Sequence, residues 1–263
     1  MTVDQEPRRN VRLLVAYDGT DFHGLAPNEC VRTVVGELER VIEPLIGEVP
    51  EVVMAGRTDK GVHAWGQVLS FTVGGNTVDL DRIQKSVNSR LGPEIVVRQI
   101  DEARDDFSAR FSAIGRRYRF LIINRNVTDP FLARTGWWIP EPLDAATMNA
   151  ACAHVIGQHD FSSFCRRPRP RPEPDTGQAT EVSLVRRVDS ARWLDLGDGL
   201  LRFDIAGSAF CHQMVRSIVG FMVAVGSGKR QAEELPDVLA ARDRSRAENP
   251  APAHGLTLWQ VDY

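Results

Sequence analysis

Val52-Val53-Met54-Ala55-Gly56-Arg57-Thr58-Asp59-Lys60-Gly61-Val62-His63-Ala64-Trp65-Gly66-Gln67-Val68-Leu69-Ser70-Phe71-Thr72-Val73 sets a polar, glycine-rich segment between two apolar runs. The runs at 52–54 and 68–73 have strand character, and 55–67 reads as the loop between them. Glycines at 56, 61 and 66 let the backbone take left-handed angles and come close to a ligand. A loop held by two strands can aim its polar groups from a rigid frame. This loop is read as the chemical centre of the chain.

Working outward, Val11–Tyr17 reads as a strand ended by the turn formers Asp18-Gly19, and a loop through Phe22-His23-Gly24 follows. Val34, Leu38, Val41, Ile42 and Leu45 mark one helical face, with Thr33 as N-cap and Pro44 limiting the C-terminal end. Leu80, Ile83, Val87 and Leu91 predict a second helix ending at Gly92-Pro93, and a strand begins at Ile95-Val96-Val97. Residues 1–9 read as a flexible tail and 10–104 as a first half that contains the loop.

The second half, 105–263, opens with Phe107–Ser112 and a strand over Arg117–Ile123. A helix from the N-cap Asp144 to the C-cap Gly157 follows. Residues 166–178 form a basic, Pro-rich stretch that excludes regular structure. Strands are expected at Val182–Val188 and Leu200–Ala206. Cys211, Met214, Val215, Ile218, Val219, Met222 and Val225 predict the best helix of the chain, and Leu256–Tyr263 a final strand. Each half runs strand, turn-rich loop, amphipathic helix, more strands. The expectation is an α+β fold, a mainly antiparallel mixed sheet from two similar halves flanked by helices.

The 263 residues are 43% hydrophobic and 25% charged, ordinary globular values. Nothing in residues 1–9 resembles the apolar core of a signal peptide, and the longest apolar run, 218–225, is too short to span a bilayer. A cytoplasmic protein with no membrane association is expected. The four cysteines, Cys30, Cys152, Cys165 and Cys211, have no C-x-x-C spacing and are expected as free thiols. His154 and His159, five apart, do not share a helical face, so no metal site is expected. Net charge is −3, which announces no polyanion binder, yet only Lys60, Lys85 and Lys229 are lysines. Arginine forks suit phosphates and bases; a GC-rich coding sequence would give the same bias. Local clusters at Arg110, Arg116, Arg117, Arg119 and at Arg166, Arg167, Arg169, Arg171 can hold a polyanion whatever the total charge.

Gly56-x-x-x-x-Gly61 starts like a phosphate-binding loop, but Val62-His63 stands where Lys-Ser/Thr is required, which excludes that reading. Asp59-Lys60-Gly61 fits a tight turn. It fits equally a poised carboxylate, with Arg57 and Lys60 close in sequence to favour its ionised form. No second acid lies in the loop, which argues against a two-carboxylate glycosidase.

The segment Ala55–Ala64 resembles the signature of the TruA family of tRNA pseudouridine synthases. Tyr17-Asp18-Gly19-Thr20-Asp21-Phe22, Phe111-Ser112-Ala113 with Arg117-Tyr118-Arg119-Phe120, Asp160–Phe164, Phe210–Gly220 and Ala251–Leu256 resemble its other motifs, in the same order. The resemblance spans Val11 to Tyr263. It implies isomerisation of uridine to pseudouridine at nucleotides 38, 39 and 40 of the tRNA anticodon arm, without cofactor or metal, by a homodimer with its active-site cleft between the halves. By the same resemblance Asp59 is the nucleophile on a flipped-out uridine, and Tyr118 stacks on that uridine. Arg57 contacts the RNA or helps open the stem, Arg216 pairs with the catalytic carboxylate, and Leu256 lines the uracil pocket. Other readings of these residues are a sheet aromatic for Tyr118, a solvated helix face for Arg216 and core for Leu256. His63 is expected to order the loop. Arg110, Arg116 and Arg166, Arg167, Arg169, Arg171 form the expected RNA surface, or the last four only a spacer. Leu25-Ala26 and Val35 depart from the family's usual Trp-Gln and Gln. A non-catalytic RNA-binding protein on the same scaffold is the alternative; a nucleoside hydrolase lacks a second carboxylate or a ligand cluster.

Overall fold

A computed structural model describes residues 8–74, 78–167 and 182–263. In chain order the elements are β1 (Arg8–Tyr17), α1 (Val34–Ile46), β2 (Val53–Met54), β3 (His63–Gly74), α2 (Leu80–Leu91), β4 (Ile95–Ala103), β5 (Gly115–Ile123), β6 (Trp137–Trp138), α3 (Ala145–Cys152), β7 (Gly157–Asp160), β8 (Val185–Asp195), β9 (Leu200–Gly207), α4 (Met214–Gly226), α5 (Leu235–Ala241) and β10 (Leu256–Asp262). Two compact units emerge, residues 1–115 with 257–263, and residues 116–256. The sequence reading instead ends the first half at 104 and keeps the last strand with the second. The distant final strand belongs with the first unit because it hydrogen-bonds to β3.

In the first unit the strand order is β4-β1-β3-β10, with β2 also on β3. All of these pairs are antiparallel except β10 with β3. Val11, Leu13 and Val15 of β1, Leu69 and Phe71 of β3, and Ile95 and Val97 of β4 are buried, as are Leu38, Ile42, Ile83 and Val87 on the two helices. The Thr33 side chain caps α1 by accepting from Gly36 N, as expected. Pro44 does not end that helix: α1 runs on to Ile46, and Gly47 at φ 79° closes it. Arg8 and Arg9, assigned to the tail, begin β1; Arg8 pairs with Glu48 at 3.1 Å and Arg9 donates to Val78 O at 2.8 Å.

In the second unit the order is β5-β9-β8-β7, antiparallel throughout, with β6 parallel to β5. Phe203 packs on Trp193 at 5.0 Å between ring centroids, and Phe164 lies between Phe161 and Phe221. Eleven of the thirteen residues of α4 are buried, so it is a core helix rather than an amphipathic one. It starts at Met214, and Cys211 lies in the turn before it. Asp144 caps α3 through Ala146 N and Thr147 N, but the helix stops at Cys152, and Gly157 at φ 109° opens β7 instead of capping. The free-thiol expectation is corrected at one pair: Cys165 and Cys211 form a disulfide, Cα–Cα 5.9 Å, while Cys30 and Cys152 are free. The α+β class and the mainly antiparallel sheet stand.

Candidate active site

The loop narrows in the structure to residues 55–62, because His63 to Gln67 already belong to β3. β2 delivers the chain to it beside Leu69 and Ser70, and Ala55 N donates to Val68 O at 3.0 Å. Inside, Val62 N donates to Asp59 O at 3.1 Å, and Gly61 sits at φ 80°. That is the tight turn, with glycine where a side chain would be strained. Thr58 and Val62 are buried while Asp59 is half-buried. The turn places Asp59 at its first position.

Neighbouring segments clasp the loop. The Tyr17 hydroxyl lies 2.7 Å from Thr58 Oγ1, and Gln67 Nε2 donates to Gly56 O at 2.9 Å. Leu25 N donates to Thr58 O at 3.2 Å, and Lys60 Nζ lies 3.1 Å from His23 Nε2. Gly24, at φ 101°, runs so close that a Cβ there would stand 2.9 Å from Thr58 O. Gly19 N donates to His63 Nδ1 at 3.0 Å. Asp18 Oδ1 lies 3.1 Å from the same ring nitrogen. The buried His63 thus joins β3 to the Asp18-Gly19 turn, the ordering role expected of it. Burial pushes the Tyr17 hydroxyl up to about 12, against smaller opposing effects of hydrogen bonds to Thr58 and Gln67. Arg57 and Arg110 are exposed in this same unit, and the Arg110 guanidinium lies 5.2 Å from the Phe111 ring.

The second unit carries the remaining described candidates. Tyr118 on β5 meets the Phe210 ring edge-on at 5.3 Å. Arg116, two residues earlier and so on the same strand face, donates to Ser208 O at 2.8 Å. Arg166 N donates to His212 O at 2.9 Å. The 208–213 segment between β9 and α4 thereby gathers Arg116, Tyr118 and the base of the Pro-rich stretch. Arg216 in the first turn of α4 donates through Nε to Ala251 O at 2.7 Å. Leu256 is buried, and the adjacent Gly255 lies so close on the Phe120 ring that it leaves no room for a Cβ.

Strand alternation divides the expected arginine cluster. Arg119 shares the face opposite Tyr118, where it lies 3.4 Å from Asp204, which Arg202 also binds at 2.8 Å. Burial, then the neighbouring Arg202, lowers the affinity of the Arg119 guanidinium for its proton. Arg167 is exposed, and Arg169 and Arg171 lie outside the described residues. Among the described residues no group of three or more His, Cys, Asp or Glu could hold a metal ion. Sequence reading assigned no role to Thr58 or Gln67 and named Tyr17 only as the end of a strand and within a motif.

A family model described as tRNA pseudouridine synthase matches residues 13–112 and 151–263. Asp59, Arg216 and Leu256 fall within the matched spans and Tyr118 between them. The chain is 38% identical over 255 residues to the tRNA pseudouridine synthase A of Acetivibrio thermocellus, covering 97% of this chain and 100% of that one. It is 40% identical over 252 residues to the enzyme of the same name from Halalkalibacterium halodurans, covering 94% and 90%. It is also 40% identical over 260 residues to that of Chloroflexus aurantiacus, covering 97% and 89%.

Proposed function

Because this chain belongs to the tRNA pseudouridine synthase family, we propose that it isomerises uridine to pseudouridine in tRNA, with Asp59 as the nucleophile. The observation that carries the assignment of Asp59 is its place at the head of a clasped turn, half-buried between the buried Thr58 and Val62. A carboxylate held in that way is pre-aimed and needs no reorganisation at the moment of attack.

The reaction breaks the N1–C1′ bond of uridine and forms a C5–C1′ bond. The proton on C5 leaves to water and N1 gains one, so no electrons and no second substrate are required. One carboxylate suffices, provided the freed uracil is held while it turns. Tyr118 is proposed to stack on the base, Leu256 to wall its pocket, and Arg216 to pair with the carboxylate. Reaching the base means flipping it from its stack, a cost of a few kcal/mol offset by stacking and phosphate contacts. Arg57, Arg110, Arg116 and Arg166 to Arg171 are the proposed contacts to the RNA backbone. Nucleotides 38, 39 and 40 are the proposed targets, and a cytoplasmic homodimer the proposed working form. No helix among the described residues is long and apolar enough to cross a membrane.

Tritium release from tRNA labelled at uridine C5 tests the proposal. Release by the parent protein that vanishes in Asp59→Asn is the expected result. Free uracil in place of pseudouridine would mean a hydrolase, and tRNA binding without either product a non-catalytic binder.

A further inference from the structure

We infer that Tyr17 is a positioning residue for this isomerisation, holding through Thr58 the backbone that presents Asp59. The inference rests on the activity proposed above.

Its first support is the register of β1 on β3. Val15 faces Gln67 and Tyr17 faces Ala64, so two steps along β1 match three along β3. Directly opposed residues share a sheet face. Gln67 therefore shares the face of Val15 and of Tyr17, and the extra residue at Trp65-Gly66 sets Ala64 rather than Trp65 opposite Tyr17. Bulges re-aim side chains in this way. The outcome is visible in burial: Tyr17 is 4% exposed and Gln67 0%, while Trp65 is 45% exposed.

The second support is what those two side chains hold. Tyr17 meets Thr58 Oγ1 at 2.7 Å, and Gln67 Nε2 reaches Gly56 O at 2.9 Å. The main chain is thus fixed on both sides of Arg57 and immediately before Asp59. Leu25 N adds a third tie on the Thr58 carbonyl. A buried hydroxyl is costly unless paired, so an apolar ring would serve better if Tyr17 only filled space. The hydroxyl, retained and aimed at the residue before the nucleophile, acts on the loop. Raised far above neutrality by burial, it stays protonated throughout the working range.

Displacing a reacting group by about 1 Å can cost on the order of 10²-fold in rate. Tyr17→Phe removes one oxygen and keeps the ring. Its single-turnover rate of tritium release at saturating enzyme is expected to fall at least about tenfold, with the tRNA Kd within about twofold of the parent's. Thr58→Val should lose a similar factor, and Thr58→Ser, which restores the hydroxyl, should recover most of it. The double variant Tyr17→Phe/Thr58→Val should be no slower than the slower single variant, since both cut the same tie. A Tyr17→Phe rate equal to the parent's, losses that multiply in the double variant, or a loss of affinity that accounts for the lost rate would each overturn the inference. A parent protein that releases no tritium overturns the proposed activity, and the positioning role with it. A slow Thr58→Val beside an unaffected Tyr17→Phe would remove Tyr17 alone.

Discussion

Arg216 and Ala251 are joined by two hydrogen bonds running in opposite directions: Arg216 Nε donates to Ala251 O at 2.7 Å, and Ala251 N donates to Arg216 O at 2.9 Å. The first turn of α4 is thereby locked to the segment that leads into Leu256, and the plane of the guanidinium is fixed by its own Nε. Lysine keeps the charge but has no Nε and no fork. Arg216→Lys is expected to lower the single-turnover rate by roughly 10²-fold, the scale of a misplaced reacting group. The lost bond should cost about 1 kcal/mol and lower the thermal midpoint by roughly 2–4 °C. Calorimetry beside tritium release separates the two effects. A rate matching the parent's would remove Arg216 from the site.

Tyr17 gives a pH prediction with a definite sign. Its folded-state value, about 12, stands above the ordinary tyrosine value of 10.0, because burial disfavours the phenolate. The stabilisation is therefore complete below pH 10 and is lost as the pH climbs towards 12. Two units correspond to about 2.7 kcal/mol in total, roughly half of it gone by pH 11. Urea unfolding at pH 9 and 11 should show the parent losing about 1 kcal/mol more than Tyr17→Phe over that interval. Equal losses would mean that the hydroxyl titrates as it would in water.

What the sequence disclosed was what is local. Thr33 and Asp144 were legible as caps because a side chain and the N–H it accepts lie within three residues. The strand Leu200–Gly207 was legible because its burial alternates strictly. Failures came where a distant partner decides. His63 to Gln67 read as loop because a bulge breaks their alternation, and only β1 and β10 pairing shows them to be strand. The seven-residue α5 is too short to show a period, and it was missed. Asp59 was singled out from its motif, whereas the contact of Thr58 with Tyr17, 41 residues away along the chain, emerged only with the structure.

Cys165 and Cys211 illustrate the same limit, being 46 residues apart with no spacing signal. Their Cα–Cα distance of 5.9 Å lies in the ordinary disulfide range. Alkylation in denaturant without reductant should label only Cys30 and Cys152, and all four cysteines after reduction. Closing a loop of that length is worth about 4 kcal/mol on chain entropy alone. Reduction should therefore lower the unfolding free energy by up to about that amount, read from the urea midpoint at constant slope. Four labelled cysteines before reduction would restore the free-thiol reading.

The basic stretch that begins at Arg166 makes the last prediction. Arg166 and Arg167 are exposed, and the Arg166 backbone is tied to His212, in the same 208–213 segment that carries Phe210 against Tyr118. A chain anchored there starts beside the proposed base-stacking tyrosine. Backbone contacts to a polyanion release counterions, so each one adds about 0.7–0.9 to the slope of log affinity against log salt. Replacing Arg166, Arg167, Arg169 and Arg171 by Gln should weaken tRNA binding at low salt and flatten that slope by about 1 or more, with the reaction rate on bound tRNA little changed. Filter binding across a salt series measures both quantities on the same protein. Unchanged slope and affinity would make the stretch a spacer, and would leave Arg57, Arg110 and Arg116 as the proposed phosphate contacts.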